Sequence, residues 1–385
     1  MENQDLLRCP DCGATAFESS AEQLSCRGCG RSVPLLLGIP DFRDPARDST
    51  ANYPIDDDLR LARLLAAVYP RLATYNEIHL LYEDLIRRRM AGEALNEAMV
   101  EEMLASGNYP PRPLSDDQLV HGRAILDKVD QYLADAGESM PPKGVVLENG
   151  AGLGLHIDGF ATSFERLVVV DFSLVYLILG KKMAEERGHT NVLLVCGSVE
   201  RLPLRDETID FIHSNNVVEH ITDKAAMFGE ARRVLRTGGL LFVLSPNHFT
   251  LYIEPHFALP AYGFIPKPIR RFYVARRFGW NIDDVTLLSL GQLRALASAE
   301  FDSVRVSFIP RRLKDTVMGG RLRGLVVTGL NAPLIGDAAD LLLNKLLLGV
   351  MPYHAALCFK RPIRPAPVGR AQKAAAAPSG LAPVR

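Results

Sequence analysis

The chain has 385 residues, of which 48% are hydrophobic, so it can form one large domain with appendages or two domains. Its formal net charge of -1 lacks the basic excess of proteins that hold duplex nucleic acid, which argues against nucleic acid as a main partner. The N-terminus has neither the basic segment nor the apolar core of a signal peptide, and no apolar run reaches the ~18 residues of a spanning helix. These features predict a cytoplasmic protein.

Two Cys-x-x-Cys pairs lie close to the N-terminus: Cys9 with Cys12, and Cys26 with Cys29. Four thiolates on two such turns match the tetrahedral coordination of a structural zinc ion and leave no open position for a substrate. Two disulfides are the alternative, but they require an oxidising compartment that no other feature supports. We therefore predict a zinc ribbon over residues 1–45.

Residues 46–138 are predicted to form a helical cap before the main domain. Apolar residues recur at helical spacing over residues 59–68 and again over 78–86. A proline-rich break at residues 108–113 ends this block. A further helix over 116–136 then leads into the first strand of the main domain.

A short apolar strand over residues 145–147 ends in Glu148 and precedes a predicted helix over 155–164. Between them glycines recur at alternate positions, namely Gly150, Gly152 and Gly154. Such a turn lets the backbone approach a ligand closely, and the helix end offers free N–H groups. The spacing departs from the dinucleotide pattern G-x-G-x-x-G, and the loop has no Lys or Arg for a pyrophosphate. An acidic residue before this turn suits a cationic ligand that has a ribose and no phosphate.

A second buried strand over residues 167–170 ends in Asp171, about twenty residues after the first glycine, where a carboxylate can bind ribose hydroxyls. Residues 236–239 are predicted to form a turn between a helix and a strand. The other predicted helices cover 173–187, 224–235 and 291–299, and the other strands cover 191–196, 209–213, 240–244, 304–308 and 355–359. This alternation predicts an α/β protein.

With these motifs in this order and spacing, the chain resembles the class I S-adenosylmethionine-dependent methyltransferases, closest to the small-molecule branch that includes quinone-biosynthesis enzymes. The matching pieces are residues 148–154, 170–171, 197–203, 210–211, 218–220 and 234–239. The resemblance covers roughly residues 120–310. It implies a Rossmann-like sheet of seven strands with helices on both faces, in a core over residues 139–361.

The resemblance implies that S-adenosylmethionine is the cofactor. Glu148 would hold its methionine end, Asp171 would bind the ribose hydroxyls, and Phe172 would flank the adenine. Many relatives have Asp where this chain has Ser198, whose hydroxyl accepts less strongly from the adenine amino group. The expected cofactor residues are Glu148, Asn149, Gly150, Ala151, Gly152, Gly154, Asp171, Phe172, Ser198, Val199, Ser214 and Asn215.

Two insertions, over residues 246–288 and 310–352, are expected to form a helical lid over the methyl-acceptor pocket, because the family's topology places both at the carboxyl ends of the strands. Each combines many apolar residues with a basic cluster. This combination suits a lipophilic or lipid-linked acceptor with an anionic head, or peripheral contact with an anionic membrane. A lid with an ordinary core and a solvated basic rim is the alternative. The tail over 362–385 is predicted to be disordered.

Three histidines are candidates for the catalytic general base, which is needed if the acceptor is a hydroxyl or a protonated amine: His220, His248 and His256. A lone histidine near a strand end is often a hydrogen-bonded structural residue, and each of the three could be one. Some quinone and RNA 2′-hydroxyl methyltransferases bind a divalent metal through Glu-x-x-Glu-His at this place. Here Asn216 replaces the first Glu, which removes an anionic ligand, so we expect no catalytic metal.

The sequence therefore predicts a methyltransferase that acts on a small or lipophilic acceptor, with oxygen as the methylated atom. One alternative is an RNA methyltransferase, since the ribbon resembles that of some ribosomal RNA guanine methyltransferases. Another is a non-catalytic scaffold whose ribbon holds a protein partner. A ribbon that only docks on the main domain as a folding nucleus is equally compatible with the sequence.

The zinc ribbon can be tested directly. Metal analysis of the purified protein is expected to find about one zinc ion per chain, because four cysteines complete one tetrahedral site. Cys26→Ser is expected to lower the zinc content sharply, and retention of full metal in this variant would disprove the site.

Overall fold

The structure is a computed structural model that describes residues 4–48, 54–251, 253–254, 256–278, 282–307 and 353–361. The predicted second insertion with its basic cluster, and the predicted disordered tail, lie outside the described residues.

The N-terminal ribbon is a small antiparallel sheet that packs against the main domain. Leu7 pairs with Leu204, and Asp41 pairs with Cys196 at the end of a strand of the main sheet. The side chain of Phe42 is buried in the same apolar cluster as one face of that sheet. The ribbon strands are β1 (Phe17–Ser19), β2 (Gln23–Cys26), β3 (Ser32–Leu36) and β4 (Ile39–Pro40).

Four helices follow the ribbon: α1 (Ile55–Val68), α2 (Tyr75–Met90), α3 (Glu97–Ala105) and α4 (Asp116–Asp135). Capping boxes start two of them, because Thr74 and Glu77 satisfy the free N–H groups of α2, and Ser115 and Gln118 those of α4. The cap is therefore a set of well-delimited helices that precede the first strand of the main sheet.

The main domain alternates strands and helices. In chain order these are β5 (Val145–Asn149), α5 (Ile157–Ser163), β6 (Arg166–Asp171), α6 (Leu174–Glu186), β7 (Val192–Cys196), β8 (Ile209–Asn215), α7 (Lys224–Val234), β9 (Leu235–Pro246), β10 (Ile253–Glu254), β11 (Leu259–Pro260), α8 (Lys267–Phe278), α9 (Leu290–Glu300), β12 (Ser303–Ser307) and β13 (Tyr353–Phe359).

Seven of these strands form one sheet in the order β12-β13-β9-β8-β5-β6-β7. The strands from β9 to β7 run parallel, whereas β13 is antiparallel to both of its neighbours. The predicted seven-stranded α/β fold is thus confirmed. The chain leaves β5 in one direction towards β7 and returns on its other side with β8, which opens a crevice at the carboxyl ends of these two strands.

Alternate residues of each strand face opposite sides of the sheet, so both sides are covered. Val146 and Leu167 belong to the apolar cluster that contains α1, α2, α4, α5 and α6. Leu147 and Val168 belong to the cluster that contains α7, α9 and the ribbon. The ribbon therefore covers part of the sheet that helices alone would leave exposed.

Two of the differences from the predicted boundaries have clear local reasons. The helix α5 begins at Ile157 and not at residue 155, because Gly154 has a φ of 76° and starts a turn that delays the helix. The turn predicted over residues 236–239 is part of the long strand β9, which pairs with β8 through a shift of register near Ile209.

The first insertion, between β9 and α9, contains the short hairpin β10–β11 and the helix α8. Its apolar side chains form a separate small cluster that includes Phe257, Tyr262 and Val274. Among the described residues, no helix combines the length and the apolar character that crossing a membrane requires.

Candidate active site

A cavity of about 390 Å³ lies at the carboxyl ends of the central strands, in the crevice between β5 and β8. The predicted cofactor residues that line it are Gly150, Gly152, Asp171, Phe172, Ser198, Val199 and Asn215. Others lie outside its wall, namely Glu148, Asn149, Ala151, Gly154 and Ser214. The cavity volume and the mixture of backbone, carboxylate and aromatic groups fit a nucleoside with a polar side chain.

Asp171 is held rigidly at the wall of this cavity. Its carboxylate accepts hydrogen bonds from the N–H groups of Gly152, at 3.2 Å, and of Ser173, at 2.7 Å. Burial raises its pKa to about 6, although both backbone hydrogen bonds act in the opposite direction. Hydroxyl groups of a bound ligand could donate further hydrogen bonds to this buried carboxylate.

Glu148 is buried behind the glycine turn, and its carboxylate lies between two histidines. Its Oε1 is 2.9 Å from His156 Nδ1, and its Oε2 is 2.6 Å from His213 Nδ1. Burial alone would raise the pKa of Glu148, but the neighbouring charges of His213 and His156 lower it. The structure therefore places Glu148 where it can position the turn, with its oxygens already engaged.

The sequence did not reveal several residues of the wall. Tyr176, Glu200 and Val217 follow predicted motif residues by a few positions, so their places could have been inferred from the topology. Arg47 and Asp48 could not, because they belong to the end of the ribbon, far away along the chain. We call residues 41–48, which lead from the ribbon to the cavity, the ribbon tail.

Arg43 anchors the ribbon tail beneath the cavity, with a side chain that is only 1% exposed. Its guanidinium donates to Asp41 at 2.7 Å, to Asp58 at 2.6 Å and to the carbonyl oxygen of Phe172 at 2.9 Å. Asp58 also accepts from the hydroxyl of Ser173, the N-cap of α6, at 2.5 Å. One buried ion network thus joins the ribbon tail, α1 and the loop that follows Asp171.

Two of the three candidate histidines lie together at the edge of the cavity. His220 lines the cavity, and its ring centroid is 5.2 Å from that of His256 in the first insertion. His256 Nδ1 lies 2.6 Å from Glu254 Oε1, and His256 Nε2 lies 3.8 Å from Glu219 Oε1. Glu254 and Glu219 are buried, so each carboxylate is shielded from water. The sequence named neither carboxylate as a site residue.

The pKa values of this cluster diverge because each group meets a different environment. Burial lowers the pKa of His220 to about 4 and raises that of Glu219 to about 7. Burial also opposes the charged form of His256, but its bond to Glu254 and the two carboxylates outweigh this effect and raise its pKa. Glu219, His220 and His256 each bring one ligand atom within 4.8 Å of the others. The predicted absence of a catalytic metal remains a prediction.

His248 lies apart from this pair. Its ring packs edge-on against Phe249, with centroids 4.8 Å apart, and against Tyr262 at 5.8 Å. Burial lowers its pKa, and the charge of Arg270 contributes in the same direction. Tyr262 belongs to the apolar cluster of the insertion, so the structure favours a packing role for His248.

The four ribbon cysteines converge on one point. Sγ of Cys9 lies 3.8 Å from that of Cys29, and Sγ of Cys12 lies 3.6 Å from that of Cys26. Tetrahedral zinc with Zn–S bonds of about 2.3 Å places its sulfurs about 3.8 Å apart, whereas a disulfide requires about 2.05 Å. The cluster is therefore compatible with a structural zinc ion.

Comparison with known proteins agrees with this geometry. Residues 147–243 match the family described as "Methyltransferase domain". The chain is 30% identical over 121 residues to the mitochondrial 2-methoxy-6-polyprenyl-1,4-benzoquinol methylase of Leishmania donovani, covering 31% of this chain and 42% of that protein. It is 34% identical over 102 residues to the ubiquinone biosynthesis O-methyltransferase of Bradyrhizobium sp. (strain ORS 278), covering 26% of this chain and 40% of that protein.

A third relative is a probable S-adenosylmethionine-dependent methyltransferase of Mycolicibacterium smegmatis, which is 33% identical over 106 residues, covering 27% of this chain and 39% of that protein. The chain thus spans about two fifths of the length of these curated relatives. Among solved structures, Haemonchus contortus phosphoethanolamine N-methyltransferase 2 is similar with a TM-score of 0.41 and 16% identity, covering 61% of this chain and 53% of that chain. Residues 147–243 therefore form a methyltransferase domain of the S-adenosylmethionine-dependent type, as the sequence predicted.

Proposed function

We propose that the protein transfers a methyl group from S-adenosylmethionine to an oxygen atom of a small or lipophilic acceptor. The observation that carries this proposal is the adjacency of two sites: a cavity with the buried carboxylate of Asp171 and, at its edge, the pair His220 and His256. One site suits a nucleoside and the other suits the removal of a proton.

Residues of the cavity wall would hold the cofactor. Asp171 would bind the ribose hydroxyls, and Phe172 and Val199 would flank the adenine. Gly150 and Gly152 both have a positive φ, which lets the backbone pass close to the ligand. Position 150 also requires glycine for a steric reason, because a Cβ there would lie 2.5 Å from a methyl group of Val217.

The bound cofactor would supply a methyl group that is already activated by its positively charged sulfur. The remaining work of the protein is to align the acceptor oxygen with this methyl group and to exclude water. We assign the removal of the acceptor proton to His256, because buried Glu254 orients its ring and stabilises the imidazolium that forms. His220, whose pKa burial lowers to about 4, would contact the acceptor from the cavity wall.

The acceptor side of the domain has an unusually apolar surface. Six of the large apolar side chains that are exposed lie in the first insertion: Phe249, Leu251, Ile253, Phe264, Ile269 and Phe272. We call them the insertion patch. The helix α8, which carries two of them, has five basic residues and no acidic one. Apolar side chains beside cations suit an anionic lipid surface, so we propose that the acceptor is lipid-linked and is taken from a membrane.

Incubation of the purified protein with methyl-labelled cofactor and fractionated cell extract tests the proposed acceptor class. We expect label in the lipid fraction. Label in RNA, with a steep salt dependence of RNA binding, would favour the RNA methyltransferase instead. Absence of cofactor binding in calorimetry would leave only the non-catalytic scaffold.

Asp171→Ala is expected to weaken the binding of S-adenosylhomocysteine by about ten- to hundredfold, because charge-assisted hydrogen bonds to the ribose are lost. Since the pKa of Asp171 is raised to about 6, its charged form is lost as the pH falls through 6. Wild-type affinity, measured by calorimetry, should therefore decrease between pH 7.5 and 5.5. The variant should lack this decrease, and an unchanged affinity in the variant would mean that the ribose is bound elsewhere.

His256→Ala is expected to lower kcat by about 10²- to 10⁴-fold with unchanged S-adenosylhomocysteine affinity, because the general base is removed. His248→Ala is the matched control and should retain activity. Glu254→Gln removes the charge that raises the pKa of His256. The midpoint of the rise of the rate with pH should therefore shift to a lower pH than in the wild type. Equal losses in His256→Ala and His248→Ala would contradict the assignment.

Phe272→Ser is expected to weaken binding to vesicles that contain anionic lipid by about tenfold or more, as measured by co-sedimentation. The reason is that a phenylalanine side chain contributes about 1.5–3 kcal/mol to the binding free energy when it is fully buried. Met90→Ser is the matched control, since Met90 is 75% exposed on α2 and Phe272 is 74% exposed on α8. If both variants bind vesicles like the wild type, the insertion patch does not contact membranes.

A further inference from the structure

Adenine offers one amino group as a strong hydrogen-bond donor, and a site that selects adenine needs an acceptor for it. Ser198 is the residue that the sequence places there. Its hydroxyl oxygen already accepts a hydrogen bond from the N–H of Glu200 at 3.1 Å. This bond closes a local turn and leaves Ser198 a weaker acceptor for a ligand.

A second acceptor reaches the same cavity from the ribbon tail. Asp48 lines the cavity, and its side chain is only 8% exposed. Its Oδ2 accepts hydrogen bonds from the N–H of Asp44 at 2.6 Å and from Arg201 at 3.0 Å. Its Oδ1 has no donor among the described residues, so one oxygen fixes the side chain and the other remains for a ligand.

The contacts of the ribbon tail place Asp48 at the end of the cavity where the adenine is expected. The N–H of Phe42 donates to the carbonyl oxygen of Cys196 at 2.8 Å, so the tail runs beside the end of β7 and the loop that holds Ser198. Arg201, which holds Asp48, donates its own N–H to the carbonyl oxygen of Ser198 at 3.2 Å. Asp48 and Ser198 are therefore fixed to each other through one arginine.

The ribbon itself holds this arginine. Arg201 also donates to Asp11 at 2.7 Å, and Asp11 lies between the first two cysteines of the ribbon. Arg31 donates to the same carboxylate at 2.7 Å and to the carbonyl oxygen of Phe42 at 2.7 Å. The position of Asp48 thus depends on contacts from the ribbon at both ends of the tail.

We propose that Asp48 is the residue that selects adenine in this protein, with its Oδ1 accepting the hydrogen bond of the amino group. This inference rests on the proposed cofactor, and it gives the ribbon a direct part in cofactor recognition. Glu200 is the other carboxylate of the wall near Ser198. Its Oε1 accepts from the N–H groups of Thr222 and Asp223, at 2.8 and 2.9 Å, so it is fixed to the start of α7 and not to the ribbon tail, and the test includes Glu200→Gln for this reason.

The test compares two ligands by calorimetry: S-adenosylhomocysteine and S-inosylhomocysteine, in which oxygen replaces the amino group. The wild type is expected to bind the adenosyl compound about ten- to hundredfold more tightly than the inosyl compound. The inosyl compound has no amino group to donate to the Asp48 carboxylate, and its oxygen is repelled by that carboxylate. Asp48→Asn offers both a donor and an acceptor, so the two affinities should approach each other to within about threefold.

Asp44→Asn is the matched control, because it makes the same change in the same tail outside the cavity, and it should keep the wild-type ratio. Zinc content and thermal unfolding confirm that each variant is folded. An unchanged ratio in Asp48→Asn, an equal weakening of both ligands, or loss of the ratio in Glu200→Gln would each overturn the proposal. Each of these outcomes leaves wild-type binding of S-adenosylhomocysteine, and therefore the proposed function, intact. If the wild type does not bind S-adenosylhomocysteine, the proposed function itself is refuted.

Discussion

The architecture of the site depends on the hydrogen bonds and ion pairs of the buried Arg43 guanidinium. The guanidinium is bonded at once to the ribbon tail, to Asp58 of α1 and to the backbone of Phe172 beside the cavity. Removing one partner from such a network leaves an uncompensated charge in a dry environment, which costs about 3–5 kcal/mol. The ribbon, the helical cap and the sheet are therefore held in one arrangement by a charge that none of them could bury alone.

The cavity is consequently a composite of two parts of the chain. The Rossmann-like sheet contributes the glycine turn and Asp171, which lie at the carboxyl ends of neighbouring strands. The ribbon contributes the wall that contains Asp48, because its tail pairs with the end of β7. A small domain that has the cysteine arrangement of a structural metal site thereby contributes to the cavity wall.

The cluster of histidines and carboxylates at the edge of the cavity is distinguished by its shifted pKa values. The first insertion brings Glu254 and His256 next to Glu219 and His220. Burial lowers the pKa of His220 and raises that of Glu219, whereas the bond to Glu254 raises that of His256. Glu219 also accepts no bond at Oε1 from the described residues, so the cluster has capacity for a ligand atom. Such divergence among neighbouring titratable groups is characteristic of sites for proton transfer. The same insertion carries the exposed apolar side chains from which we propose a lipophilic acceptor.

The sequence by itself determined the strands and helices of the main domain, the glycine turn and the position of Asp171, because apolar periodicity and turn chemistry act between residues that are near in the chain. It also indicated the four-cysteine cluster through spacing alone. Only the tertiary structure decided that Asp48 reaches the cavity, that Glu254 orients His256 while His248 packs elsewhere, and that Glu148 is enclosed by two histidines. The contacts of Asp48 and Glu148 join residues far apart in the chain, and the choice between His248 and His256 depends on how the insertion folds back. Such burial and long-range packing leave no periodic signal in the sequence.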